Sequence, residues 1–462
     1  TRRAGASLTL QAGTSEVRLL DPAHTTLSLG QGSRISVDPG QSINLRGAGQ
    51  ITLNGELNAW GGTLDIRQQQ FGSNDVADNS QLADNAAHNR SIWIGEHAVL
   101  DVAGRAATAV DALGRTYGLV GKGGTIIVGG EIDAKKATAT SADAYVIVRE
   151  GARLDASGAQ ATLDIAGQGP TPIATDGGRI SLSSYNGLFI DGSLRAVAGG
   201  AGAAGGRLDI ALETPLYDLN LAANEVRAAR EIILGQDAGK SQLPQDLQPG
   251  AAASALQYGR ARLGANQLMA GGFDNLSLLS NGLLSFDGDV DLHSRQSLSL
   301  YAGALALADG ARETARINLS APYLRLSGTG KYFDAPGYLR PRVMNTPTTQ
   351  VAPATFNATA DLLDLGNSLS FGTAGKIALL NGAAIEVSRR GFDQVTLHSR
   401  GDLRFLAPTG YTTKTELWTP GNLNLQAAQI YPASDVTAEV RVGYQSVHPG
   451  ADPARTLRIT RA

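Results

Sequence analysis

The sequence predicts an all-β chain that coils into a parallel β-helix, a solenoid of stacked turns, with loop insertions and a partly helical one. Three observations lead to this prediction. Short segments that alternate apolar and polar residues dominate the first 210 residues. One strand opening, two glycines followed by an alternating run, recurs four times. A longer unit is duplicated in the second half of the chain.

The alternating segments predict strands separated by tight turns. Examples are SLTLQA, SRISVD, QSINLRG and GQITLNG, each followed or ended by Gly, Asn or Asp-Pro. Period-two alternation places the apolar side chains on one face of a strand, and these turn residues adopt the backbone conformations that a reversal needs.

The recurring opening suggests that equivalent strands begin in the same way on successive coils. Its four copies are GGTLDI (61–66), GGTIIV (123–128), GGRISL (177–182) and GGRLDI (205–210). We expect the glycine pairs to lie at corners, where the chain turns with positive φ or approaches the neighbouring coil closely.

A second phrase, Gly-x-aliphatic-x-Ala, marks further strands of the same coils. It occurs as GELNA (55–59), GEIDA (130–134) and GSLRA (192–196), with a looser copy in GARLDASG (151–158). A larger duplication relates GFDNLSLLSNGLLSF (272–286) to GFDQVTLHSRGDLRF (391–405), with eight of the fifteen positions identical.

Such short repeats predict a stack, because one or two strands cannot bury their own apolar face whereas neighbouring coils can bury it together. With ~20–25 residues per coil and ~4.8 Å between stacked strands, about 14 coils would form a body roughly 70 Å long.

Two intervals interrupt the coils that we predict at 1–210, 271–330 and 361–462. Residues 211–270 are rich in Ala, Arg and Leu with helix-like spacing, and predict a partly helical insertion. Residues 331–360 contain four prolines and little alternation, and predict a Pro-rich surface loop.

Composition excludes several functional classes. The 462 residues contain no cysteine, which excludes a disulfide framework, a thiolate nucleophile and a zinc site that uses sulfur. The formal net charge of −3 gives no indication of nucleic-acid binding. The sequence contains no run of about 18 apolar residues, so it predicts no transmembrane helix. Its opening, TRRAGASLTL, lacks the features of a secretory signal peptide. We therefore expect a cytosolic chain, a processed chain or a piece of a longer one.

The duplicated Phe-containing units resemble parts of the large exoproteins of the filamentous haemagglutinin family. The same resemblance is seen in two further segments, INLSAPYLRLSG (317–328) and LNLQAAQIYPAS (423–434). The resemblance covers most of the chain, most clearly 271–330 and 360–440. It implies a right-handed parallel β-helix and secretion to the bacterial cell surface, across the outer membrane, through a partner pore protein. The Asn-Pro-Asn-Gly-Ile signature of the family's secretion domain does not occur here, so the chain resembles a body or C-terminal segment.

The resemblance implies a rigid adhesive or structural rod without catalysis or cofactor. Insertions such as 67–92 and 331–356 would contact a host-cell, bacterial-surface or matrix receptor. Two alternatives stay open: a polysaccharide lyase or hydrolase on the same scaffold, and a secreted binder that captures a ligand. Exposed aromatic residues usually line carbohydrate grooves, and the three tryptophans, Trp60, Trp93 and Trp418, are few for the first alternative.

Local motifs give little support to catalysis. GAGAAG (200–205) matches a dinucleotide fingerprint, but a strand pattern follows it where a helix is required. The aspartates of the LDI runs, Asp65, Asp164 and Asp209, alternate with aliphatic residues and are expected to face solvent in staggered positions rather than to gather a metal. The six histidines show no metal-ligand spacing.

One tripeptide is a candidate for receptor binding. Arg400, Gly401 and Asp402 form an Arg-Gly-Asp sequence in the second copy of the duplicated unit, where the first copy reads Asn-Gly-Leu. The equivalence predicts a turn between two strands, a position that could display the tripeptide and that also needs a glycine for structural reasons alone.

Overall fold

The structure is a computed structural model of the chain. It describes residues 5–13, 25–68, 89–215, 217–218, 229–239, 241, 243–330, 338–339, 346, 348–378, 384–409, 414–443 and 454–462. Within these residues most strands belong to one 26-stranded sheet, and every pairing in that sheet is parallel. This confirms the predicted all-β fold and agrees with a parallel β-helix.

Successive strands along the chain contribute in turn to three faces of each coil. The first face consists of Leu8–Ala12, Ser42–Gly47, Thr63–Gln68, Thr125–Val128, Arg179–Ser184, Gly206–Leu212, Asp402–Phe405 and Gln429–Pro432. The second face consists of Thr26–Leu29, Gln50–Leu53, Ser91–Ile94, Tyr145–Val148, Gly187–Ile190, Arg260–Gly264, Arg230–Gly235, Ser368–Phe371, Lys414–Thr419 and Thr437–Val442. The third face consists of Arg34–Ser36, Glu56–Asn58, Val99–Asp101, Arg153–Asp155, Ser193–Arg195, Val290–His293, Gly391–Ser399, Asn422–Gln426 and Leu457–Thr460.

Four longer strands bend at a corner and contribute to two faces each. Phe273–Asp287 and Ser297–Leu307 cross from the first face to the second. Arg316–Ser327 and Val351–Gly366 cross from the third face to the first. They join the early and late coils of the first face into one continuous stack.

Five antiparallel hairpins or strand pairs lie outside this stack. They are Ala106–Val110 with Thr116–Val120, Ile132–Asp133 with Thr138–Ala139, Gln160–Ile165 with Gly169–Ala174, Tyr217–Asp218 with Tyr338–Leu339, and Thr373–Ala378 with Ala384–Arg389. One helix, Ala265–Ala270, is present in the described residues.

The core runs along the inside of the coils as columns of aliphatic side chains. On the first face Ile43, Leu64, Ile126, Ile180 and Leu208 are paired in register from one coil to the next, and all are fully buried. Alternation in the sequence therefore decides which side chains enter the core, and stacking buries them against their equivalents.

The four glycine-pair openings all start first-face strands, in consecutive coils, as predicted. The second glycines, Gly62, Gly124, Gly178 and Gly206, form a column in which each one contacts the preceding coil. A Cβ atom on Gly178 would lie 1.9 Å from the carbonyl oxygen of Gly124, and one on Gly124 or Gly206 would lie 2.2 Å from the oxygen below. Close approach between coils is therefore the reason for glycine at these positions.

The second phrase identifies third-face strands in three of its four copies, 56–58, 153–155 and 193–195. The copy at 130–134 differs, because Ile132–Asp133 pairs antiparallel with Thr138–Ala139. The duplicated units are both strand, corner, strand, but 272–286 spans the first and second faces whereas 391–405 spans the third and first. The repeat thus conserves a corner rather than a face.

The predicted insertion at 211–270 is only partly an insertion. It contains the helix, but also two second-face strands, Arg230–Gly235 and Arg260–Gly264, whose alternating residues Ile232 and Leu234 enter the core. The Ala- and Arg-rich composition suggested helices, but the alternation of apolar and polar residues in these two segments is that of strands. The helix lies between third-face coils, where Leu268 is buried and the Gly271 carbonyl accepts a hydrogen bond from the Ala196 amide.

The C-terminal boundary of the Pro-rich loop predicted at 331–360 is wrong, because residues from Val351 onward form a strand of the stack. Ala352, Ala354, Phe356 and Ala358 alternate into the core. Pro353 is tolerated since it lies at a break in the register between Ala352 and Thr355, where the ladder is already irregular. Most of 331–347 lies outside the described residues.

Candidate binding surfaces

The Arg400–Gly401–Asp402 tripeptide lies at the corner between the third-face strand Gly391–Ser399 and the first-face strand Asp402–Phe405. Its backbone is tied to the preceding coil, because the Arg400 amide donates to the Ala360 carbonyl at 2.8 Å and the Gly401 amide to the Asp361 carbonyl at 2.9 Å. This confirms the predicted turn.

Both charged side chains of the tripeptide have partners on neighbouring coils. The Arg400 guanidinium pairs with the Asp361 carboxylate of the preceding coil, which raises the pKa of Arg400. The Asp402 carboxylate accepts a hydrogen bond from the Tyr431 hydroxyl of the following coil at 2.8 Å. The corner therefore links three coils, and its two charges are directed along the stack.

The aspartates of the LDI runs have structural partners. Asp65 and Asp209 face outward on the first face, as predicted, but Asp209 has no exposed surface, because Arg179 and Arg207 cover it. The expectation of staggered positions is wrong, since both occupy one register column with two strands between them. Asp164 lies on a hairpin and accepts a hydrogen bond from the Thr116 amide.

The outer surface of the first face carries a continuous row of ion pairs, which we call the charge ladder. Its members, each 2.6–2.8 Å from the next oppositely charged group, are Arg46, Asp65, Arg67, Glu131, Arg179, Asp209 and Arg207. Burial opposes the charge on Arg67, but hydrogen bonds to Asp65 and Glu131 outweigh it and raise the pKa of Arg67. Each group in the row has at least one partner of opposite charge, four guanidinium groups against three carboxylates, so the charge ladder holds each coil to the next.

In the part of the chain that the structure describes, the candidate metal and cofactor motifs do not come together into a binding site. No group of three or more His, Asp or Glu side chains could hold a metal ion there. GAGAAG leads into the strand Gly206–Leu212 rather than a helix. His97 is close to Glu96, and His24, His88 and His448 lie outside the described residues. Among these residues no helix is long and apolar enough to cross a membrane.

Two hairpins that the sequence prediction missed form a projection from one edge of the stack, which we call the arm. The hairpin of Ala106–Val110 and Thr116–Val120 follows a third-face strand and precedes a first-face strand. The hairpin of Gln160–Ile165 and Gly169–Ala174 leaves the next coil at the same corner. Insertions into consecutive coils therefore lie one above the other.

Polar contacts fix the two hairpins of the arm to each other. The Asp164 carboxylate accepts from the Thr116 amide of the neighbouring hairpin. At the base, the Thr175 hydroxyl lies 2.9 Å from the Gly121 carbonyl and 2.9 Å from the Ala159 amide. The inner side of the arm is thereby held in place, and its other side is left to solvent.

The outward side of the arm is apolar. In the first hairpin, Ala107 is opposite Leu119 and Ala109 is opposite Tyr117, so the four side chains share one side. Leu119 is 75% exposed and Tyr117 55% exposed. Val110, on the opposite side of the hairpin, and Leu113, at its tip, are exposed as well, so this hairpin carries four of the eight large apolar side chains that stand out as exposed among the described residues. Such clustering marks an interaction surface, whereas single exposed apolar residues are ordinary.

The tip of the arm is a well-formed turn. The Asp111 carboxylate accepts hydrogen bonds from the backbone amides of Arg115 and Leu113 and from the Arg115 guanidinium, which lowers the pKa of Asp111. Gly114 takes the positive φ that the turn requires. Leu113 is therefore presented from a fixed backbone.

The arm could have been recognised from the length of two intervals. GARLDASG (151–158) and the glycine pair at 177–178 are separated by more residues than one corner needs. The same is true of AVLDVAG (98–104) and the pair at 123–124, where the extra residues include the alternating run TYGLV. The contact insertion expected at 67–92 lies mostly outside the described residues, so it stays a prediction.

Comparison with protein-family models, curated proteins and solved structures gave no match for this chain. The candidate surfaces are therefore interpreted from their own chemistry.

Proposed function

We propose that this chain is a body segment of a filamentous haemagglutinin-like exoprotein that acts as a rigid adhesive rod on the bacterial cell surface. In this proposal the coils wind right-handed, as in that family, and the arm makes the contact with a host-cell, bacterial-surface or matrix receptor. The observation that carries the proposal is the exposed apolar side of the arm, held by polar contacts on a stack of coils.

The construction of the stack supports a mechanical role. Register pairing and the charge ladder connect each coil to its neighbours, so a load on the arm is distributed over several strands. The absence of cysteine suits a chain that passes unfolded through an outer-membrane pore, and we assign export to a partner pore protein. Deleting that partner in the producing bacterium should leave the chain in the periplasm, which cell fractionation would measure.

The adhesive role is tested with the double variant Tyr117→Ser and Leu119→Ser on beads that carry the protein. We expect bead attachment to cultured epithelial cells or to bacterial cells to fall at least about tenfold. A tenfold loss of affinity corresponds to ~1.4 kcal/mol, and complete burial of one large apolar side chain against a receptor contributes about 1.5–3 kcal/mol. Melting temperature should stay unchanged, since both side chains face solvent.

The matched control is Asp402→Ala, which alters the Arg-Gly-Asp sequence without touching the arm. If the arm is the contact, this variant adheres as well as the unaltered protein. Loss of adhesion in Asp402→Ala, with full adhesion in the arm variant, would instead assign binding to the corner at Arg400–Asp402 and refute the role of the arm.

A further inference from the structure

The order of strands on the second face changes at one place, and a cavity lies there. Arg260–Gly264 pairs with Gly187–Ile190 on one side and with Arg230–Gly235 on the other, although Arg230–Gly235 comes earlier in the chain. The pairing with Gly187–Ile190 consists of only two residue pairs, Gly187 with Arg260 and Leu188 with Ala261. Beyond them the two strands separate.

The opening between these strands is a cavity of about 570 Å³. Phe189 and Ile233 form its apolar wall, and the core-facing residues Leu188, Ile190 and Ala261 also border it. The described residues 236–239, 241 and 243–259, which we call the strap, cross the outer surface and contribute Ala238, Gly239, Ser241, Ala255 and Gln257. Cavities of ~300–1,000 Å³ are typical of small-molecule sites, and this one combines polar and apolar surface in similar amounts.

The strap is fixed to the second face at several points. The Tyr145 hydroxyl donates to the Leu256 carbonyl at 3.3 Å, and Arg149 donates to the Pro244 carbonyl at 3.0 Å. Both oxygens of the Asp191 carboxylate accept hydrogen bonds from Ser241, one from its amide and one from its hydroxyl. Asp191 lines the cavity, but its role here is to anchor the strap.

Arg260 places a poorly solvated positive charge on the cavity wall, close to Arg389 and to the carboxylates of Glu231 and Asp309. Arg260 lines the cavity and shares the buried Glu231 carboxylate with Arg389, which binds both Glu231 oxygens at 2.9 Å. Two guanidinium groups thus share one buried carboxylate. Burial, followed by the like charge of Arg389, lowers the pKa of Arg260, which means that its charge is poorly solvated where it stands.

Arg260 also has hydrogen-bond donors to spare. Its Nη1 atom is buried beside the Glu231 carboxylate and makes no hydrogen bond among the described residues. Arg262, on the same wall, uses one nitrogen for Asp287. A planar guanidinium with an unused donor is well suited to a carboxylate or sulfonate.

We propose that this cavity binds a small organic anion, with its carboxylate or sulfonate on Arg260 and its apolar body against Phe189 and Ile233. The site is independent of the arm and adds ligand capture to the rod. The apolar wall excludes inorganic anions as the preferred ligand, since they would leave that wall unfilled.

The test uses two fluorescent probes that differ in charge. The anionic probe is 8-anilinonaphthalene-1-sulfonate, and the neutral probe is N-phenyl-1-naphthylamine. We expect the sulfonate to bind the folded chain saturably at one site per chain. Arg260→Gln should weaken binding of the sulfonate about tenfold and leave the neutral probe unchanged, because only the anion uses the guanidinium.

Ile233→Trp is the second variant, in case the first does not fold. Its ring should fill the cavity from the outer side and weaken both probes at least about tenfold. The arm variant Tyr117→Ser with Leu119→Ser is the matched control, since it removes exposed apolar surface elsewhere and should bind both probes normally.

Three results would overturn the proposal. They are the absence of saturable binding by the folded chain, unchanged sulfonate affinity in both folded cavity variants, and loss of probe binding in the arm variant. The last result would show that the probes report the arm. Because the arm variant leaves the cavity intact, failure of this proposal is distinguishable from failure of the adhesive role.

Discussion

In the coils up to Leu212, the four first-face strands between Thr63 and Leu212 begin at glycines whose Cα atoms lie against the carbonyl oxygens of the preceding coil. In the coils after Phe273, the long strands run through their corners, and the core contains packed aromatic rings. Phe356 lies 5.0 Å from Phe371 and 5.4 Å from Phe392 between ring centroids, and all three are fully buried.

The difference shows two ways to fix the spacing of a coil. In the early coils the backbone itself is the limiting contact, and the core columns consist of Ile, Leu, Val and Ala. In the late coils the interior is wide enough for tilted and edge-to-face phenylalanine contacts, which connect strands of the second and third faces. Substitutions should therefore act through backbone clashes in the first region and through cavities in the second.

The largest effect is expected from Gly178→Val. A side chain here would collide with the backbone of Gly124, which cannot rotate away, and the coils would have to separate. We expect a loss of more than about 4 kcal/mol in the free energy of unfolding, measured by chemical denaturation, or failure to fold. Gly30→Ala is the control, because nothing lies near Gly30 and its φ is not positive. A loss below about 1 kcal/mol for Gly178→Val would contradict the close-approach explanation.

A smaller loss, about 3–5 kcal/mol, is expected for Phe356→Ala in the late coils. The ring contacts Phe286, Phe371 and Phe392, so its removal leaves a cavity that rigid neighbours cannot fill. Leu182→Ala, at a fully buried position of the early coils, removes a smaller side chain and should cost about 2–3 kcal/mol. Equal losses in the two variants would remove the distinction between the regions.

The charge ladder predicts a third, smaller effect. Asp209→Asn would leave Arg179 and Arg207 without their shared buried carboxylate, although both guanidinium groups keep some contact with water. We expect a loss of about 2 kcal/mol. Glu386→Gln breaks an exposed pair with Lys376 on the hairpin that projects from the late coils and should cost at most ~0.5 kcal/mol. A salt titration of both variants checks the ranking, since only the exposed pair should weaken strongly with added salt.

Sequence reasoning succeeded where one signal dominates locally. Alternation and the glycine pairs identified four first-face strands. Both signals are local, because the strand period and the glycines needed for close approach can be recognised within a few adjacent residues. It failed at Arg260–Gly264, whose place between two other strands depends on packing far along the chain. The arm was missed for a similar reason, since two hairpins separated by a full coil become one surface only after stacking.

The regions should also differ in their response to alkaline pH. Tyr145, in the early coils, donates to the neutral Leu256 carbonyl, and burial raises its pKa to about 12. Tyr323, in the late coils, donates to the Asp364 carboxylate at 2.8 Å, so burial and a neighbouring negative charge both raise its pKa. Because Tyr323 has the additional charge, Tyr145 should lose its proton first.

The sign follows from the raised values. A folded-state pKa above the ordinary 10 means that the folded chain holds the phenol proton more tightly, so the stabilisation is complete below pH 10 and is lost as pH rises from 10 to about 12 for Tyr145. Tyrosinate absorbance of the unaltered chain, Tyr145→Phe and Tyr323→Phe would assign each transition. Limited proteolysis should show the strap detaching in the same pH range, with the late coils intact, because the strap loses its Tyr145 donor while the Tyr323 contact persists. Release of the strap at the same pH in Tyr145→Phe as in the unaltered chain would show that another group controls it.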